Sequence, residues 1–165
     1  IFTLFEIFQN LGNSLSRTDT LTILASKLEK IVPFTTLVIY LAEETTEELK
    51  PAHVAGEHKE AFSGLSIEMG TRLAGWVAAN GRPRIVSDVD RDRHFFRGID
   101  QNSGFKTRSI LAAPLRVKEE MIGVLEVINK RPDALFDDGD LQRFTVFADL
   151  AAIAINSAGA FTELR

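Results

Sequence analysis

Two strongly apolar runs, residues 108–117 and 121–128, are separated by only Lys118, Glu119 and Glu120. Three residues are too few for a crossover connection, so the runs must return antiparallel as a β-hairpin. An earlier pair repeats the arrangement. Residues 35–41 are rich in β-branched and aromatic side chains, 43–48 form an acidic turn, and 49–55 read as the returning strand. Helical patterns flank these hairpins. Ile1, Leu4, Phe5, Phe8, Leu11 and Leu15 recur at three- and four-residue steps. A second helix is expected over 18–31, capped by Thr18 or Asp19, lined by Leu21, Leu24, Leu28 and Ile31, and stopped by Pro33. A long C-terminal helix opens at Phe136 and Asp137, with Leu141, Phe144, Ala148, Ala151 and Ile155 at heptad-like spacing. Between the hairpins lie a short strand beginning at Ile67, a helix over 72–79 closed by Gly81, and a strand over 84–87. Residues 88–107 show no sustained periodicity and exceed the usual length of a loop inside a compact domain. This order predicts an α+β fold with an antiparallel sheet of about six strands. The terminal helices pack on one face, and the irregular middle roofs a small-molecule pocket on the other.

The 165 residues suit one domain, residues 1–165, read as a piece of a larger signalling protein because the chain begins at Ile1. At 45% hydrophobic and 25% charged, the composition excludes disordered and low-complexity classes. The chain has no cysteine, which removes disulfides, thiolate zinc sites, thiol nucleophiles and thioether-linked chromophores, and fits a cytoplasmic location. No apolar run approaches the roughly 20 residues of a spanning helix, so no membrane partner is expected. A net charge of -4 argues against nucleic acid as a partner. Within it, residues 82–108 hold seven Lys or Arg against four Asp, a local excess suited to a small anion. His53, His58 and His94 lack the paired spacing of a metal site. No G-x-G-x-x-G, P-loop or G-x-S-x-G motif occurs, and nothing positions a nucleophile among Ser87, Asp88 and His94. A regulatory binding domain is therefore expected rather than an enzyme.

Glu126 is the only charge within the run 121–128, and period-two alternation places it on one face with Val124 and Ile128. It sits either at a rim of the sheet or in a pocket. Burial would demand a donor: an arginine, a hydroxyl or the N–H of a ligand ring. Phe95, Phe96 and Phe105 interleave with Arg97, Lys106 and Arg108 and with Ser103, Thr107 and Ser109, combining stacking surface, positive charge and hydroxyls as a nucleotide-like ligand requires. The same phenylalanines can equally plug a long loop onto the core.

Five stretches then carry a resemblance: LAGWV at 73–77, VSDV at 86–89, FFRGID at 95–100, GFKTRSIL at 104–111 and IGVLEVINK at 122–130. Together they resemble the GAF domain family of small-molecule sensors, and more narrowly the GAF domains of cyclic nucleotide phosphodiesterases and bacterial adenylyl cyclases. The resemblance implies a GAF-like, profilin- or PAS-like sheet and the noncovalent binding of cAMP or cGMP through Leu73, Ala74, Phe96, Asp100, Ser103, Thr107 and Glu126. It implies a sensor module of a bacterial signal-transduction protein. Asn129, Lys130, Phe136 and Asp140 match most of the family signature, in which the lysine and aspartate form a structural ion pair. Leu141 replaces the signature's final glutamate, and Val38, Val54 and Ala55 stand where those nucleotide binders carry a serine and a Phe-Asp pair. The family's covalent bilin-binding and methionine sulfoxide reductase functions need a cysteine that is absent. A competing expectation is a ligand-free relay module that dimerises through the stripes over 1–15 and 141–155.

Overall fold

The computed structural model describes residues 16–87, 107–131 and 134–163. The helix expected over 1–15 and most of the irregular middle, 88–106, lie outside the described residues. Helix α1 spans Arg17–Ile31, starting slightly earlier than expected because Ser16, not Thr18 or Asp19, is its N-cap: Ser16 Oγ accepts the Asp19 N–H at 3.2 Å. Leu21, Leu24 and Leu28 are buried, whereas Ile31 is 40% exposed. The chain leaves helical geometry at Val32, and that side chain fills the core where Ile31 was expected. The first hairpin is β1 (Phe34–Ala42) and β2 (Glu48–Gly56), followed by a 3-10 turn over Lys59–Phe62 and the two-residue β3 (Ile67–Glu68). Helix α2 (Arg72–Asn80) and β4 (Arg84–Val86) come next. The second hairpin is β5 (Ile110–Val117) and β6 (Glu120–Lys130), and α3 (Asp138–Glu163) closes the fold.

The six strands form one antiparallel sheet in the order β3-β2-β1-β6-β5-β4. Each hairpin thus supplies one strand to the centre, where β1 pairs with β6. Pro114 is tolerated inside β5 because it lies beyond Ala112, the last residue that β4 reaches. Alternation divides the side chains between two cores. Leu37, Ile39, Leu111, Ala113, Leu125 and Val127 pack with α1 and α3. Val38, Tyr40, Ala112, Val124 and Ile128 pack beneath α2, with its Leu73, Ala74 and Val77. The expected α+β architecture is present, with helices α1 and α3 on one face and the shorter elements on the other.

The central strands meet closely at Gly123, where a Cβ would stand 2.1 Å from the Tyr40 carbonyl oxygen. Gly123→Ala is expected to force β1 and β6 apart and to cost about 1–3 kcal/mol, the usual range for overpacking. Urea unfolding checks this, and an unchanged midpoint would contradict so close an approach.

The start of α3 is held by reciprocal hydrogen bonds: Asp137 Oδ1 accepts the Asp140 N–H at 2.8 Å, and Asp140 Oδ2 accepts the Asp137 N–H at 3.0 Å. This is a capping box with aspartate in both roles. Phe144, Ala148, Ala151 and Ile155 are buried against the sheet and α1. The heptad-like stripe is thereby consumed within one chain, apart from the half-buried Leu141.

Candidate functional site

On the α2 side of the sheet, Glu126 sits near the middle of β6, opposite Val38 of β1 and Ala112 of β5. Only 6% of it is exposed, so it is a buried carboxyl rather than a group at the rim. Along the strand it is bracketed by Val124 and Ile128, both in the core cluster that contains Leu73 and Ala74. An uncompensated carboxylate in such surroundings costs several kcal/mol. Two groups offset that cost. The Tyr40 hydroxyl, from the neighbouring strand, hydrogen-bonds to Glu126, and the Arg72 guanidinium at the start of α2 attracts its negative charge. Burial still dominates and pushes the Glu126 carboxyl from 4.5 up to about 7. Tyr40 responds in kind. Its hydroxyl is raised well above its ordinary value, first by burial and then by the charge of Glu126, against a smaller lowering by Arg72. The carboxyl therefore stands near its midpoint at neutral pH, where a modest change of surroundings alters its charge.

Local geometry places Arg72 there. The backbone of Arg72 has φ +56°, a left-handed conformation that costs a non-glycine residue on the order of 1 kcal/mol. The turn before it is tight: Gly70 N–H donates to Gly75 O at 2.8 Å. A Cβ at Gly75 would lie 2.4 Å from Glu68 O, so glycine is required for the helix to seat on this turn. Thr71, the N-cap, directs its hydroxyl to Glu68 O at 2.7 Å and makes no side-chain cap. The first turn of α2 thus presents backbone N–H groups that Thr71 does not satisfy, at the positive end of the helix dipole.

A second cluster ties the site to the helical side. Asn129, at φ +58°, accepts the Arg108 N–H at 2.6 Å and the Ser109 N–H at 3.2 Å through Oδ1, and its own N–H donates to Ser109 O at 2.8 Å. The next residue, Lys130, reaches Asp140 Oδ2 at 2.8 Å, and Arg143 Nη2 binds Asp140 Oδ1 at 2.8 Å. Burial works against ionisation of Asp140, but hydrogen bonds from Lys130, the Asp137 N–H and Arg143 outweigh it and keep the carboxyl below its ordinary value. Asn129 and Lys130 therefore fasten the entry of β5 and the start of α3 to the end of β6. Asn129 binds main chain and Lys130 binds a carboxylate already committed to helix capping, a framework role for both.

Leu73, Ala74 and Glu126 come together on the α2 face. Thr107 is buried at the entry to β5, beside the Asn129 contacts. Phe96, Asp100 and Ser103 lie outside the described residues. Val38 and Val54 share the face of Glu126, while Ala55 packs with the opposite core. Tyr40 and Arg72 are the residues that sequence reasoning missed. Tyr40 carried a usable signal: it is the chain's one tyrosine, set in an apolar strand, where a buried hydroxyl requires an acceptor. Among the described residues no group of His, Asp and Glu could hold a metal ion, and no helix is long and apolar enough to cross a membrane.

The family model of the GAF domain matches residues 16–155. The chain belongs to the GAF domain family. Similar proteins include a probable 3′,5′-cyclic phosphodiesterase of Caenorhabditis elegans, 27% identical over 108 residues that cover 66% of this chain and 15% of the relative. The dual 3′,5′-cyclic-AMP and -GMP phosphodiesterase 11A of Takifugu rubripes is 32% identical over 103 residues, 61% of this chain and 11% of the relative. This GAF domain thus spans only a small part of the length of the curated relatives it matches. In fold it is similar to the GAF domain of a phosphoenolpyruvate-protein phosphotransferase from Coxiella burnetii, with a TM-score of 0.78 at 15% identity, covering 97% of this chain and 95% of the other. It is a GAF-type regulatory domain.

Proposed function

We propose that this GAF domain senses a cyclic nucleotide, bound noncovalently over the α2 face of the sheet beneath residues 88–107. The observation that carries this reading is the buried Glu126 carboxyl, near its titration midpoint and set in an otherwise apolar floor. A carboxylate at that position can accept hydrogen bonds from the N–H edge of a purine, while the Tyr40 hydroxyl holds its orientation. The first turn of α2, uncapped by Thr71, would with Leu73 and Ala74 suit a cyclic phosphate. Arg72 supplies positive charge between the two. Phe96, Asp100, Ser103 and Thr107 complete the proposed contacts. The activity on cyclic nucleotides named for the phosphodiesterase relatives supports the same ligand class. Within a longer signalling protein, ligand capture would act by differential affinity for two conformations of the domain.

The test is thermal unfolding with cAMP or cGMP. Either nucleotide at about 100 times its dissociation constant should stabilise the fold by about 2.7 kcal/mol, and Glu126→Ala should abolish the shift. No shift with either nucleotide at millimolar concentration would overturn the reading.

The outer side of α3 favours a second property, self-association. Val146 is 57% exposed on this side and Ile153 is half-buried two turns on, opposite the stripe consumed by the core, against which Leu150 packs. Pairing of these faces would give a homodimer through the terminal helices, able to relay signals even without ligand. Sedimentation should show a mass that rises with concentration, and a concentration-independent monomer would contradict it.

A further inference from the structure

A groove lies at the β3–β2 edge of the sheet. Strand β3 pairs only with Glu48 and Leu49 of β2, so beyond Leu49 the outer edge of β2 faces the 59–66 segment instead of a strand. The space between them measures about 450 Å³. None of Tyr40, Arg72, Leu73, Ala74 and Glu126 lines it. Its volume falls in the range of about 300–1,000 Å³ typical of small-molecule sites.

The lining is chemically one-sided. All its titratable groups are bases: Lys50, His53 and Lys59. No carboxylate lines it; of those nearby, Glu43, Glu48 and Glu57 are engaged, while Glu60 follows Lys59 in the 3-10 turn. Glu43 pairs with Lys50 at 3.1 Å, and Glu48 accepts the Ser66 hydroxyl. Among the described residues no carboxylate pairs with Lys59, whose charge, after burial, helps to keep His53 below its ordinary value. The Ser63 hydroxyl adds a donor, and Phe62 and Leu65 supply an apolar wall. An extended peptide is a poor occupant. Pro51 removes an N–H from this edge, and the register shift opposite Ile39 and Tyr40 interrupts its ladder.

We propose that this groove binds a small organic anion, a carboxylate or phosphate ester on a compact apolar body, with its charged group held by Lys59 and the His53 ring and its body against Leu65 and Phe62. The groove borders the same face of the sheet but includes none of the residues proposed to hold the cyclic nucleotide, and it does not depend on them.

Two-dimensional 1H–15N spectra of the whole chain, titrated with phenyl phosphate, benzoate and the neutral benzyl alcohol, provide the test. At least one anion should shift the amides of 50–54 and 59–66 saturably, benzyl alcohol should not, and Lys59→Ala, at an exposed position, should weaken binding about tenfold. Glu126→Gln should leave this affinity unchanged. The proposal is overturned if neither anion saturates by about 10 mM, if benzyl alcohol binds as well, or if Lys59→Ala binds as tightly as wild type.

Discussion

Glu126→Gln is expected to melt level with the wild-type chain at about pH 4 and on the order of 10 °C above it at about pH 8. The folded chain binds the Glu126 proton more tightly than the unfolded chain, with the carboxyl moved from 4.5 to about 7. Such a group stabilises the fold fully below pH 4.5, and that contribution is lost as pH rises to about 7 and beyond. The difference amounts to about 3 kcal/mol. Glutamine keeps an acceptor for the Tyr40 hydroxyl and has no proton to lose, so it escapes the penalty. His53 acts in the opposite direction. Burial, and secondarily Lys59, hold it below its ordinary 6.5, so it favours the fold as pH rises through that value. Because both chains share His53, the difference between them isolates Glu126. A gap of equal size at the two pH values would show that the carboxyl does not titrate as described.

Asp140→Ala should lower stability by about 2–3 kcal/mol in urea unfolding, the range for losing a helix cap together with a charged hydrogen bond. Its side chain is 1% exposed and accepts from Lys130, Arg143 and the Asp137 N–H. Removing it leaves the Lys130 ammonium facing Asp137 at 3.8 Å and deprives α3 of half its capping box. Asp140→Asn should lose less, because it retains an oxygen for the Asp137 N–H. The held-down carboxyl also fixes the pH dependence. Its contribution is present above its ordinary 3.8 and is lost as pH falls below it. A loss under about 1 kcal/mol for Asp140→Ala would mark the cluster as an ordinary surface pair.

Much of the fold was legible because its signals are local. Pro33 ends α1, Gly81 ends α2, and two apolar pairs with short polar turns gave both hairpins. Cap choice was less legible. Ser16, Thr18 and Asp19 are all good caps, and only the geometry selects the hydroxyl that reaches an amide three residues on. The outward Ile31 was misread because helical periodicity does not announce where the chain departs from the helix. Glu126 was legible as a lone charge in an apolar strand, and its need for an arginine or hydroxyl followed from desolvation. Which arginine and which hydroxyl did not follow. Tyr40 arrives through β1–β6 pairing and Arg72 through a left-handed turn, both products of tertiary structure. The role of Asn129 was hidden for a related reason: its partners are main-chain N–H groups, which leave no mark in side-chain identity.

In the proposed function, Glu126 is the polar group around which a cyclic nucleotide is read. The most direct test of that role is the pH titration of the Glu126 side-chain carboxyl carbon by NMR, without and with saturating cGMP or cAMP. The midpoint should stand at about 7 in the free domain and fall when N–H donors of the bound purine hold the carboxylate. A free midpoint near 4.5, or a midpoint that neither nucleotide moves, would contradict the account.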